Sequence, residues 1–225
     1  MKIELWSDYA CPFCYIGEAR LKKALQQIPT QVEVEFKSFE LDPTAPHEVV
    51  SSTQDRFAEK YGLTADESRA RIEEISDMGR AEGLDFKYLT TRYTNTFDAL
   101  RLTKFAHVRG HDEIVEKLFD AYFTKNLELA NVDVLKNIAV ECGLDAAEVE
   151  KFLTGDEFAA EVRDDEQTAA AYGIHGVPYF VINGKYAMNG AQPTEFIVAT
   201  LRKIFAEELD ERFSDGMICD ENGCR

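Results

Sequence analysis

Three kinds of apolar spacing follow one another at the start of the chain. Ile3 and Leu5 alternate with polar neighbours, which predicts a strand over residues 2 to 7. Cys14, Gly17, Leu21, Leu25 and Ile28 then fall three and four residues apart, predicting a helix from Pro12 to about Ile28 that Pro29 ends. Val32, Val34 and Phe36 alternate with Glu33, Glu35 and Lys37, which reads as a second strand. The β-α-β order predicts a parallel pair joined by a right-handed crossover. The run Ser38 to Pro43 closes this unit, and Pro43 and Pro46 mark a boundary.

From about residue 50 to 155 the pattern is helical throughout, with no strand signal. Thr64 and Glu67 form a capping box for a helix carrying Ile72, Ile75 and Met78. Helical segments over 95–109, 112–125, 132–142 and 145–154 follow, separated by Gly110, Asn131 and Gly143. A helix over 156–172 leads to the loop Gly173 to Pro178 and a strand over 179–182. Asn183-Gly184 then signals a type I′ hairpin with a returning strand over 185–188. A last amphipathic helix over 193–209 carries Phe196, Ile197, Leu201, Ile204 and Phe205 on its buried side. The pattern thus predicts an α/β unit over 1–48 and 156–210, a helical insertion over 49–155, and a polar, mobile tail over 211–225.

Composition adds three constraints. At 225 residues and 45% apolar content, the chain builds a core without disulfide staples, and its five cysteines leave at least one unpaired. It opens directly into an amphipathic strand, without a basic and apolar leader and without the roughly 18 apolar residues of a membrane span, which predicts a cytoplasmic protein. The net charge of −17 is spread along the chain and disfavours nucleic acid and anionic membranes as partners.

The candidate chemistry lies in Cys11-Pro12-Phe13-Cys14, at a strand-to-helix junction. Cys11 is placed at the helix N-cap and Pro12 at the first helical position, where a missing N–H costs nothing. Cys14 sits one turn in, on the core stripe. The spacing therefore predicts an exposed attacking thiol, Cys11, favoured as thiolate by the helix N-terminus, and a buried resolving thiol, Cys14. Zinc needs four ligands, and there is no second Cys-x2-Cys; His47, His107, His111 and His175 are scattered, so no metal is expected. Cys142 shares a helical face with Leu135, Ile138 and Ala139 and reads as core, and His175 as a solvated loop residue. Cys219 and Cys224, with Asn222-Gly223 between them, are read as an accessory redox couple, against a simply reduced tail or a weak metal or intermolecular thiol site. Trp6, Tyr9, Phe13, Tyr15 and Tyr179 lie near the motif and divide between the core and an apolar groove for an unfolded chain.

Four stretches carry a resemblance over residues 1 to 210: Ser7-Asp8 before Cys11-Pro12-Phe13-Cys14; Phe39-Glu40-Leu41-Asp42-Pro43; Gly176-Val177-Pro178-Tyr179-Phe180-Val181; and Gly190-Ala191-Gln192-Pro193. They resemble the DsbA family, α/β proteins of thioredoxin-like fold with an inserted all-helical subdomain, and within it the FrnE-like branch related to 2-hydroxychromene-2-carboxylate isomerase. The resemblance implies a cis Val177-Pro178 peptide packed beside Cys11 that presents backbone groups to an incoming peptide. Pro12, Phe13, Val177 and Pro178 become the candidate substrate-binding residues. Phe13 stands where strongly oxidising relatives carry histidine, and Asp8, if it points toward Cys11, opposes the thiolate further; both imply a milder redox poise. The expected function is a cytoplasmic thiol–disulfide oxidoreductase or isomerase acting on protein or peptide disulfides, with no cofactor beyond glutathione as a candidate redox partner. A glutathione-dependent isomerase of small aromatic substrates and a holdase-type binding protein are the alternatives. The oligomeric state is open.

Overall fold

A computed structural model describes residues 1–29 and 31–209 in full, and the backbone alone of 210–216, 219–220 and 223–224. Strand β1 (Lys2–Ser7) leads into helix α1 (Pro12–Leu25) and strand β2 (Glu33–Ser38). The chain then forms α2 (Thr53–Tyr61), α3 (Ala65–Ala81), a 3-10 turn (Tyr88–Thr90), α4 (Phe97–His107), α5 (Ile114–Phe123), α6 (Val132–Glu141) and α7 (Ala146–Leu153). It returns through α8 (Ala159–Ala171), β3 (Tyr179–Ile182), β4 (Tyr186–Asn189) and α9 (Thr194–Gly216). Beyond α9 the short strands β5 (Cys219–Asp220) and β6 (Gly223–Cys224) pair antiparallel, with Cys219 opposite Cys224. Among the described residues no helix is long and apolar enough to cross a membrane.

The main sheet has the order β2-β1-β3-β4. β1 runs parallel to β2, as the β-α-β spacing requires, and antiparallel to β3, which pairs antiparallel with β4. Strand alternation assigns the two faces. Ile3, Leu5, Phe180 and Ile182 point to one side and bury against Leu21 and Ala24 of α1 and Ile197, Leu201 and Ile204 of α9. Trp6 and Val181 point to the other and meet Ala169 of α8 and Ile174. The indole N–H of Trp6 donates to the Asp165 carbonyl at 3.0 Å, so this wholly buried ring keeps its polar atom satisfied.

The helical layer has its own core, and α1 takes part in both. Its later turns lie on the sheet. Its first turns place Cys14, Tyr15 and Ile16 among Phe86, Phe119 and Phe123. Tyr15 stacks on Phe119 with ring centres 5.1 Å apart and on Phe86 at 5.8 Å, and Phe86 stacks on Phe123 at 4.7 Å. Such offset stacks add to plain area burial. They hold the residue next to Cys14 in a rigid aromatic column.

Most boundaries fall within a few residues of the spacing, and the exceptions have local causes. α1 ends at Leu25 because Gln27 N–H bonds Ala24 O and Ile28 N–H bonds Leu25 O, a tightened last turn, although Ile28 remains buried. α8 starts at Ala159, since Phe158 before it adopts a left-handed φ of 62°. Asn183 and Gly184 have φ of 52° and 65°, the type I′ signature, which moves the start of β4 to Tyr186. α9 runs past Leu209 to Gly216; Ile197, Leu201 and Ile204 take its buried side, whereas Phe196, expected there, is exposed. The capping box forms, with Glu67 N–H donating to Thr64 Oγ1 and Thr64 N–H to Glu67 Oε2.

Candidate active site

The end of β1 and the start of α1 are joined by a tight turn. Cys11 is the N-cap of α1 with extended φ and ψ of −88° and 114°, and Pro12 follows at the first helical position. The Cys11 N–H donates to Asp8 O at 3.1 Å, and the Cys14 N–H to Cys11 O at 3.1 Å. The two thiols thus stand at the cap and one turn in. Both are free.

The expected exposure of Cys11 is corrected by the structure: Cys11 is 4% exposed and Cys14 1%. Spacing along one helix reports only that helix's own faces. The cover over Cys11 comes from the loop before β3, where the Cys11 thiol donates to the Val177 carbonyl at 3.4 Å, and from the helical layer, whose core cluster includes Cys11 with Tyr88. The Val177-Pro178 peptide is cis. Pro178 also approaches α1 closely, since a Cβ on Gly17 would meet Pro178 Cγ at 3.0 Å. Gly17 therefore lets the loop seat against the helix that carries the thiols.

The two cysteines differ chemically. Burial pushes the Cys14 thiol well above its usual range, and the neighbouring Cys11 raises it further, while the Ser7 hydroxyl and the Asp8 amide act in the opposite direction.

Asp8 does not aim its carboxylate at Cys11. It is buried and accepts from the Ala10 N–H at 3.0 Å, the Leu41 N–H at 2.7 Å and the Thr96 hydroxyl at 2.9 Å. Burial raises its carboxyl above the ordinary aspartate range, and these three donors pull it back. The side chain ties the Cys11 turn to the loop after β2 and to the helical layer.

Of the aromatic residues near the motif, Trp6, Tyr9 and Tyr15 are core, with exposures of 0%, 0% and 5%. Tyr9 is fixed by its hydroxyl on Thr103. Phe13 is 38% exposed between the thiols, and Leu41 is equally exposed. Val177 and Tyr179 are half-buried and Pro12 and Pro178 buried. Cys142 is buried against its predicted neighbours, with its thiol raised by burial, and His175 is exposed. The side chains of Cys219 and Cys224 lie outside the described residues. Among the described residues no three His, Cys, Asp or Glu side chains gather as metal ligands would.

Spacing arguments miss Thr96 and Tyr88, which reach the site from the helical layer. The phenol of Tyr88 lies within electrostatic range of both Cys11 and Arg56. Arg56 rests on Tyr93, whose hydroxyl donates to Asp42 Oδ2 at 3.0 Å. No periodicity marks these residues, because their role is set by which helix ends meet the β1–α1 turn.

Residues 2–202 match the DSBA-like thioredoxin domain. The probable DsbA oxidoreductase of Streptomyces coelicolor is 34% identical, covers 100% of this chain and 98% of its own, and superposes with a TM-score of 0.87. A 2-hydroxychromene-2-carboxylate isomerase shares the fold at 14% identity, over 93% of this chain and 98% of its own, with a TM-score of 0.71. The cytosolic disulfide reductase DsbM of Pseudomonas aeruginosa, seen with glutathione, shares it at 15% identity over 90% of this chain and 100% of its own, with a TM-score of 0.62. With a thioredoxin-like sheet, a helical layer between β2 and α8, and a family match over nearly its whole length, the chain belongs to the DSBA-like thioredoxin-domain family and is a thiol–disulfide oxidoreductase.

Proposed function

We propose that Cys11 and Cys14 are the redox pair, and that the protein reduces or isomerises disulfides of proteins and peptides in the cytoplasm, with glutathione as a redox partner. The observation that carries this reading is the seat of the Cys11 thiol on the Val177 carbonyl, with Cys14 one helical turn behind it. In the reductive direction the Cys11 thiolate attacks a substrate disulfide. A Cys11–substrate disulfide forms and one substrate thiolate leaves. Cys14, as thiolate, then attacks Cys11 Sγ, releasing the second substrate thiolate and leaving a Cys11–Cys14 disulfide. Two electrons pass to the substrate, and the two thiol protons end on its sulfurs. A thiol reductant such as glutathione restores the dithiol. Phe13, Pro12, Val177 and Pro178 form the surround that receives the substrate chain, with Phe13 supplying apolar contact.

Phe13 brings no charge to the space between the thiols. That favours a poise nearer reduction or isomerisation than strong oxidation. A Cys14→Ser variant tests the reading in cell extract, because it stops the reaction at the mixed disulfide. Protein and peptide adducts on Cys11 are the expected result. Glutathione as the sole adduct, or no adduct, overturns the protein-substrate reading.

A further inference from the structure

The apolar face of the sheet is covered unevenly. Ile3 and Val34 are register partners in β1 and β2, as are Leu5 and Phe36, so all four point to the same side. Ile3 and Leu5 are 1% and 2% exposed, whereas Val34 is 36% exposed and Phe36 half-buried. β2 is an edge strand, and beside it α1, α4 and α5 border a cavity of about 650 Å³. Leu21 and Leu25 of α1, Val34 and Phe36 of β2, and Val115 of α5 line it; neither Cys11 nor Cys14 does. Its size and apolar lining are those of a small-molecule site.

Most of the charged groups around the cavity are already engaged. Glu116 binds Lys22 at 2.5 Å, Asp112 binds His107 at 2.6 Å, Glu113 binds His111 at 3.2 Å, and Glu35 binds Lys2 at 2.5 Å. Lys104 is held by Asp165. Glu18, on the α1 wall, is half-buried and makes no hydrogen bond or ion pair among the described residues. Lys22, one turn on, acts on it electrostatically but spends its ammonium on Glu116. A carboxylate drawn partly out of water loses hydration, and here no protein group replaces it.

We propose that this cavity binds a small organic cation, an amine with a compact apolar body, the body resting on Leu21, Leu25, Val34, Phe36 and Val115 and the charged nitrogen on the Glu18 carboxylate. The ammonium supplies the charge-assisted hydrogen bond that the fold leaves unmade. Glu161, exposed at the α8 side and also unpaired among the described residues, adds to the attraction. The net charge of −17 favours the approach of a cation and disfavours an anion, and a second copy of this chain would bring like charge against the cavity. Binding there involves neither thiol, so it stands apart from the redox assignment.

Isothermal titration calorimetry with two apolar bodies, each in three charge states, tests the proposal. The probes are adamantylamine, adamantanol and adamantane carboxylate, and tryptamine, tryptophol and indoleacetate. At least one amine is expected to bind saturably at a single site, about tenfold or more tighter than its neutral and anionic counterparts, the size of one charged hydrogen bond. Glu18→Gln is expected to remove that preference while the neutral compound binds as before. Val34→Trp, a change at an exposed position, fills the mouth of the cavity and is expected to weaken amine and alcohol alike. Cooperative thermal unfolding checks that both variants fold, and the wild-type charge series needs neither of them. Equal affinity across both charge series overturns the proposal, as does the absence of binding by either amine up to about 10 mM. So does amine binding that survives both variants, or that never saturates and vanishes with added salt, since that is attraction to the acidic surface at large.

Discussion

The Cys11 thiol donates to the carbonyl of Val177 at 3.4 Å, across 166 residues of sequence. The contact joins the N-terminal β-α-β unit to the loop that opens β3. A thiol whose own helix leaves it open is closed in by a segment reached only after the whole helical layer. Its chemistry is thereby coupled to the seating of that loop against α1.

Phe13, the residue that follows Pro12 between the two cysteines in sequence, is 38% exposed and presents an apolar side chain. Replacing it with histidine places an imidazole there, and its charged form favours the Cys11 thiolate over the disulfide. The reduction potential of Phe13→His is expected to rise by at least about 30 mV, equivalent to ~1.4 kcal/mol for the two-electron couple. Equilibration with glutathione redox buffers measures it, with Phe13→Leu as a control. An unchanged potential removes Phe13 as a determinant of poise.

Asp8 accepts only from donors: two backbone N–H groups and the Thr96 hydroxyl. Asn at this position must turn an NH2 group toward one of them. Asp8→Asn is expected to lower stability by about 1–3 kcal/mol, the cost of stranding buried donors. Denaturant unfolding reads this directly. Wild-type stability in Asp8→Asn would mean that the turn holds itself without the carboxylate.

Glu18 lies on α1 one turn beyond Cys14, at the wall of a cavity of about 650 Å³ between α1, β2, α4 and α5. Burial pushes its carboxyl up to about 7; Lys22 opposes this and Glu116 adds to it. A carboxyl raised on folding contributes stability that is present below its ordinary value of 4.5 and lost as pH rises through about 7. Glu18→Gln is expected to be more stable than wild type above that pH by about 1–2 kcal/mol, since the carboxylate keeps some contact with water. Thermal unfolding between pH 5 and pH 8 follows it. Parallel pH profiles for variant and wild type would assign the titration to another group.

Gly79 permits the aromatic column behind Cys14. A Cβ at this position would fall 2.5 Å from Phe86 Cγ and Cδ2. Phe86 is clamped between Tyr15 and Phe123 and has no room to withdraw. Gly79→Ala gains about 1 kcal/mol of helix propensity, but overpacking costs about 1–3 kcal/mol. The expected net result is a lower unfolding midpoint. A midpoint at or above wild type would show that the column is free to shift.

Much of this protein was legible in one dimension. The alternation of Ile3 with Leu5 and of Val34 with Phe36, and the three-and-four spacing from Cys14 to Leu25, define β1, β2 and α1. Thr64 with Glu67 and Asn183 with Gly184 set a helix start and a hairpin. The burial of Cys14 follows from the same helical spacing. These features depend on neighbours a few residues apart, and local sterics and hydrogen bonding decide them. The burial of Cys11, the diversion of Asp8 onto Leu41 and Thr96, the sorting of Tyr9 and Tyr15 into the core, and the seat of Arg56 on Tyr93 arise between segments tens to hundreds of residues apart. Sequence spacing carries no information on which surfaces meet across such distances. Only packing of the helical layer against the sheet decides them.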